Sequence, residues 1–486
     1  MPFIEGYLNS LSATPCETVY LSASSDSDNC WLDIFREGLN ESRVHEQEAI
    51  NVGEHPVPDQ AWELGPDWPA CWEFTIPHDW PSGIYRIELH AHGDRGQPKH
   101  TRWCAQHAQH DILLVVRAVR PASQHKVLLQ LTTNTYMAYN SWGGKSTYPY
   151  NSTDGAKAHR VSLLRPGHGY YGDTIARAEF PQWELPFIRW CEKNRIGLEY
   201  GVNYDLERWP DGFEDYRLIL SVGHDEYWSG PMRDNLERFI AAGGNAAFFS
   251  GNTCCWQVRF EDEGNTMVTY KEDYQQDPEF ASGRHHLVST LWSHPLVGRP
   301  ENQLTGVGFP MGGYHRFFDQ YRDQRGEHTV RRADHWIFDG TGLTEGDTFG
   351  GSDAPPNIVW EDVRLAERAL AGGPRGNYDD APIIGYECDG CAFEEIDGYP
   401  VSTGADGTPE SFVILAQCHA RWTRHEVTHP VFLEAGVSTK GGRATMGVYV
   451  EGGTVFTAGT TDWAYGLNHD LAVQRITRNI LERLGK

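Results

Sequence analysis

Residues 216–228, YRLILSVGHDEYW, run through a string of apolar residues and end in His224, Asp225, Glu226 and Tyr227. Imidazole, two carboxyls and a phenol in a row are groups that move protons or hold charge. Two other segments place such side chains after an apolar run. They are TNTYMAYNSWGGKSTYPY (133–150) and GNTCCWQ (251–257). A single Tyr or His is more often a satisfied structural residue. Three such segments reaching one edge of a sheet weigh more, because ligands in doubly wound sheets bind beyond the carboxyl ends of the strands.

Thiol chemistry has two candidates. Cys254 and Cys255 follow a strand and a glycine, the place of a nucleophile elbow, with His224 as the base. The segment lacks the glycine that such elbows carry after the nucleophile, and cysteine at a buried strand end is usually core. Cys388 and Cys391 in ECDGC form half of a zinc-ribbon pattern without its second pair, and HExxH is absent.

These groups need elements to hold them. Up to residue 119 the chain reads as β, with strands at 17–24, 30–36, 71–76, 83–92 and 111–119 separated by turn-rich segments. Strands without helices predict an antiparallel sandwich. RPASQH (120–125) reads as a linker, and strand then alternates with helix. Strands are expected at 126–133, 196–205, 216–223 and 245–251. Helices are expected at 182–194, with Pro186 in the first turn, and over Met232, Leu236, Phe239 and Ile240, which share one face. Gly243 and Gly244 stop that helix. Val473, Ile476, Ile480 and Leu484 stripe a last one. This alternation implies a mainly parallel sheet covered on both faces.

The chain has 486 residues, enough for two domains, and a net charge of −26. That charge repels phosphate backbones and anionic lipid, which argues against nucleic-acid and membrane partners. No apolar run approaches the ~20 residues of a transmembrane helix. The first residues lack a basic stretch followed by an apolar one, and the ten cysteines are scattered, so a reducing cytoplasm is expected.

Several segments together resemble the large (β) subunit of the N,N-dimethylformamidases: YMAYNSWGGKSTY (136–148), LLRPGHG (163–169), SVGHDEYW (221–228), FSGNTCCWQVR (249–259) and VFTAGTTDWAYGL (455–467). PCETVYLSASS and WPSGIYRIEL look like the sandwich that precedes this domain in relatives. The expected architecture is an immunoglobulin-like β-sandwich over 1–119, then a mainly parallel, glutamine-amidotransferase-like α/β catalytic domain over 125–486 with long loops at about 260–375.

The resemblance implies a mononuclear Fe(III) held by two tyrosinates and a glutamate. Matched by motif, these are Tyr139, Tyr148 and Glu226, with Tyr136 and Tyr150 close enough to be confused with the two tyrosines. It also implies catalytic roles for His224 and Asn252. Phenolate and carboxylate are hard anionic donors suited to a hard trivalent cation, and three protein ligands leave positions open for water and substrate. His224 would move protons, Asn252 would hold the carbonyl or oxyanion, and Asp225 would face away. Trp142, Trp228 or Trp256 could line the cavity. The implied reaction is hydrolysis of small, formamide-like amides by metal-activated water. The expected partners are the amide, copies of the same chain and a small subunit. The chain departs from the family in being shorter than its large subunits. A cysteine hydrolase using Cys254 and His224, and a non-catalytic carbohydrate- or partner-binding protein, are the alternatives.

Overall fold

The computed structural model describes residues 3–91, 109–167, 180–209, 211–315, 325–353, 381–438 and 441–486. In the N-terminal region the strands Ile4–Leu8, Thr18–Ser25 and Ala70–Thr75 form an antiparallel sheet of three. Against it lies a sheet of five, ordered Ser12–Ala13, Gln109–Val116, Gly83–Ala91, Cys30–Glu37, Ser42–Ile50. Strand alternation decides what each face meets. Tyr85, Ile87 and Leu89 point into the core shared with Leu8, Leu21 and Leu32. Ile84 points the other way and joins Leu113 and Val115 in the core of the following region. Arg86 is buried on that face too, and Glu37 compensates its charge at 2.6 Å.

The remaining chain is built around a nine-stranded sheet. Its order is Glu199–Val202, Val127–Leu131, Leu218–His224, Asn245–Gly251, Gly453–Thr457, Gly442–Glu451, Val413–Ala420, His328–Val330, Thr348–Phe349. The first five strands are parallel. The other pairings are antiparallel. The expectation of a mainly parallel sheet therefore holds for one half, and the sheet as a whole is mixed. The reason is connection length. Gly452 alone, at φ 78°, joins Gly442–Glu451 to Gly453–Thr457, and a parallel neighbour needs a crossover of a dozen residues or more.

In the parallel half successive residues serve opposite faces. Leu218, Leu220, Val222, Ala247 and Phe249 face a core closed by the helices Glu184–Lys193 and Leu471–Leu484. Ile219, Ala246 and Phe248 face Met232, Leu236, Phe239 and Ile240 of the helix Gly230–Ala241. Burial on both sides is why these strands read as continuous apolar runs. Two sequence expectations overran. The strand expected at 196–205 is Glu199–Val202, because the Asp205 carboxylate accepts the Val202 N–H at 2.9 Å and starts the helix Asn203–Arg208. The strand expected at 126–133 ends at Leu131, and Thr133–Tyr139 is helical. In the loop-rich middle, 316–324 and 354–380 lie outside the described residues. The rest carries short strands and helical turns, among them Thr266–Val268, Lys271–Gln276 and Gly308–Tyr314.

Candidate active site

Three strand ends deliver the polar side chains. After Val127–Leu131 the helix Thr133–Tyr139 presents Tyr139, and the chain returns so that Thr147 N–H meets the Ala138 carbonyl at 3.0 Å. That contact brings Tyr148 alongside Tyr139. After Leu218–His224 the Glu226 N–H donates to Thr135 Oγ1 at 3.0 Å, fixing the carboxylate above the same helix. After Asn245–Gly251 comes Asn252, in left-handed backbone at φ 51°. Gly223 makes the second of these turns possible. Its φ is 84°, and a Cβ there would stand 2.4 Å from Trp183.

The oxygens converge. Tyr148 Oη is 2.9 Å from Tyr139 Oη, and 2.7 and 3.0 Å from the two carboxylate oxygens of Glu226. Trp256 Nε1 donates to Glu226 Oε1 at 2.8 Å. His224 Nε2 lies 3.3 Å from Glu226 Oε2 and 2.6 Å from Glu387 Oε2. Tyr139, Trp183 and Tyr386 stand edge-on to the imidazole, each with its ring centre 5.6 Å away, and hold its orientation. Asn252 Nδ2 donates to Glu387 Oε2 at 3.0 Å, while its buried Oδ1 has no hydrogen-bond partner among the described residues. Tyr139, Tyr148, Glu226, Asn252 and Glu387 line a cavity of about 560 Å3 whose other walls include Trp256, Phe309 and Phe432.

The four tyrosines of the first segment have different surroundings. Tyr136 is buried and its hydroxyl donates to Glu184. Tyr150 is 48% exposed. Tyr139 and Tyr148 are the two beside Glu226. Asp225 points away, accepting from Ser221 Oγ at 2.7 Å, Asn203 Nδ2 at 3.1 Å and Gln130 Nε2 at 3.2 Å. It ties neighbouring segments together, while Ser229 caps the next helix through the Met232 N–H. Of the three tryptophans, Trp256 alone lines the cavity. Trp142 donates to Glu5 of the N-terminal region, and Trp228 is buried near Phe248 on the far side of the sheet.

Burial and charge set the protonation. Burial first, and then the Glu226 charge, push the Tyr139 and Tyr148 phenols well above the ordinary value of 10. An ionised pair there needs a cation beside it. Burial alone would lower His224, yet Glu387 and Glu226 carry it well above the ordinary imidazole range. Burial alone would raise Glu226, and the His224 hydrogen bond and charge hold it low. Among the described residues no three His, Cys, Asp or Glu side chains gather as a metal cluster. The convergent donors here are two phenols and one carboxylate, a set of hard oxygens.

The model of the family described as N,N-dimethylformamidase beta subunit-like, C-terminal, matches residues 33–476. The chain belongs to this family. It is 24% identical over 350 residues to the N,N-dimethylformamidase beta subunit of Paracoccus aminophilus, covering 66% of this chain and 39% of that protein. It is 22% identical over 379 residues to the N,N-dimethylformamidase beta subunit of an Alcaligenes species, covering 71% of this chain and 42% of that protein. The chain thus spans well under half the length of the curated relatives it matches. A family 123 glycoside hydrolase from Clostridium perfringens covers 55% of this chain, and is half covered by it (51%), at 10% identity with a TM-score of 0.13, too low for a shared fold.

For this member of the N,N-dimethylformamidase beta subunit-like family, three of the quoted motifs gain structural meaning, YMAYNSWGGKSTY being the segment that brings Tyr139 and Tyr148 together. SVGHDEYW and FSGNTCCWQVR are the strand ends that deliver Glu226 and Asn252; LLRPGHG runs beyond the described residues after Gly167. Glu387 and Lys271 also line the cavity, and no motif in the sequence singles them out. Glu387 opens the strand Glu387–Gly390, which pairs with Gly308–Tyr314 and reaches the cavity from the far end of the chain. Its signal was an acidic residue inside YECDGC, read instead for its cysteines. Cys388 and Cys391 are both buried, in separate cores. Cys254 and Cys255 are fully buried, neither lines the cavity, and burial pushes both thiols well up. A thiolate nucleophile is disfavoured there. Cys254→Ala and Cys255→Ala are expected to leave turnover largely intact while costing about 0.5–3 kcal/mol of stability. Complete loss of turnover in folded Cys254→Ala would establish the thiol as the nucleophile.

Proposed function

We propose that the chain is an iron-dependent amidase that hydrolyses the C–N bond of small, formamide-like amides. One observation carries the reading. Two buried phenol oxygens and a carboxylate meet within 2.7–3.0 Å at one wall of a cavity that Glu387, 2.6 Å from His224, also lines. The donor set fits a mononuclear Fe(III): three hard oxygens whose combined negative charge, once ionised, equals the ion's positive charge. Tyr139, Tyr148 and Glu226 would hold it. Bound there, the ion would supply a Lewis acid for the amide oxygen and an activated water.

The chain's own groups do the rest. Glu387, lining the cavity and hydrogen-bonded by Asn252, accepts the proton that water sheds as it attacks. His224 keeps a proton between Glu226 and Glu387 and gives it to the departing amine, which cannot leave as an anion at neutral pH. Asn252 retains a second amide hydrogen, the donor for the carbonyl oxygen as charge builds there. Trp256 and Phe432 add apolar surface to a lining that is otherwise largely polar.

The finer architecture belongs to the same reading. The parallel half of the sheet, with helices on both faces, supports a glutamine-amidotransferase-like domain over 125–486. The two packed N-terminal sheets support an immunoglobulin-like sandwich over 1–119. The nine described cysteines are free, which supports a cytoplasmic location. No described helix is long and apolar enough to cross a membrane. The relatives' designation as beta subunits supports assembly, with copies of this chain and with a small subunit.

The four tyrosines supply the test. Ferric tyrosinate absorbs visible light by charge transfer, so the purified protein is expected to be coloured. Tyr139→Phe and Tyr148→Phe should each weaken iron retention and change the band. Tyr136→Phe should keep iron and colour and lose about 1–3 kcal/mol of stability, because buried Glu184 loses a donor. Iron and colour unaffected in Tyr148→Phe would remove that residue from the site.

A further inference from the structure

The side chain of Lys271 is 1% exposed, and the mechanism above does not use it. Burying an ammonium is expensive unless something nearby repays the lost hydration. Nζ donates to Tyr227 Oη at 3.0 Å, and Tyr227 Oη in turn donates to Tyr148 Oη at 2.6 Å. The same Nζ stands 3.3 Å from the ring centre of Tyr148 and 4.9 Å from that of Trp256. The backbone adds a second, independent observation. Lys271 has φ 57°, a conformation that favours glycine or asparagine, and its N–H is held by the Ser289 carbonyl at 2.8 Å. A turn alone would be better served by glycine. The lysine occupies a strained position from which its cation reaches Tyr148, and such strain collects at functional sites.

We propose that Lys271 and Tyr227 are positioning residues that act as one unit on Tyr148. The cation over the ring and the phenol donor at the oxygen hold Tyr148 in place and draw electron density from it, keeping it a weak donor. The inference rests on the reading of Tyr148 as an iron ligand. A phenolate that accepts a hydrogen bond beneath a cation gives up charge less readily, so an iron bound to it stays a stronger Lewis acid. Tyr148 also touches Glu226, so a loosened Tyr148 would loosen the whole donor set.

The experiment compares the iron-loaded parent with Lys271→Met, Lys271→Arg, Tyr227→Phe and the Lys271→Met/Tyr227→Phe double variant. Lys271→Met and Tyr227→Phe are each expected to move the visible band to longer wavelength. Each should also speed iron loss to a chelator by about 10–100-fold, the usual worth of groups that orient a metal ligand. The double variant should do little more than either single one, because both act through one chain of contacts. Lys271→Arg should return the band toward the parent's. If Lys271→Met does not fold, Tyr227→Phe, which removes one oxygen, decides alone. An unmoved band and parent-like iron loss in folded variants would overturn this inference and leave the iron site standing. A parent protein with no iron would instead overturn the proposed function.

Discussion

Glu226→Ala is expected to lose bound iron and amide hydrolysis together. Glu226 is the hub of the site: Tyr148 reaches both of its oxygens, and Trp256 and His224 one each. Removing it takes one of three anionic donors from the proposed centre and leaves buried Trp256 Nε1 without its acceptor, while Tyr148 keeps Tyr139 and His224 keeps Glu387. An orphaned donor costs about 1–3 kcal/mol, so the melting temperature should fall as well. Glu226→Gln separates the effects, since it keeps shape and much of the hydrogen bonding while losing the charge. Iron content, turnover on formamides and melting should be measured on one sample of each. Full iron in folded Glu226→Ala would show that the strand-end carboxylate is not a ligand.

His224→Ala should behave differently. In the proposed mechanism the imidazole carries a proton and holds no metal, so iron should remain while turnover falls by roughly 10²–10⁴-fold, the usual worth of a placed proton-transfer group. Glu387 adds a consequence. With His224 gone its carboxylate keeps only the Asn252 contact among those described, and two buried carboxylates then face each other without the cation between them. Some loss of stability should therefore accompany the loss of rate. Unchanged turnover in His224→Ala would remove the proton carrier from the mechanism. Loss of iron would make it a ligand.

The parts of the fold and site that were legible share a physical cause. Strands of the parallel half are buried on both faces, so LILSVG and NAAFFSG stand out as apolar runs, and the residues just after each run fall at the ligand edge of the sheet. His224, Glu226 and Asn252 stand at those strand ends, and the family resemblance is what proposes their roles. The helix Thr133–Tyr139 was not. All seven of its residues are buried, so TNTYMAY has no polar face to reveal a helical period. Glu387 meets Asn252 across 135 residues of sequence. Pairings of that range leave no local trace, and the stretch between has weak periodicity. Lys271 escaped for a related reason, since its place depends on a left-handed turn and on Ser289 rather than on any repeat. The antiparallel half was hidden by the hairpin at Gly452, where one glycine replaces the crossover that the preceding alternation implied.

If this chain hydrolyses amides at an iron held by Tyr139, Tyr148 and Glu226, iron content and turnover must rise and fall together. The most direct test measures iron per chain and formamide turnover on the same preparation, before and after chelation, and again after iron or zinc is returned. The expected result is a single iron per chain as purified, loss of colour and turnover on chelation, and recovery of both with iron but not with zinc. Full turnover in the metal-free protein would contradict it.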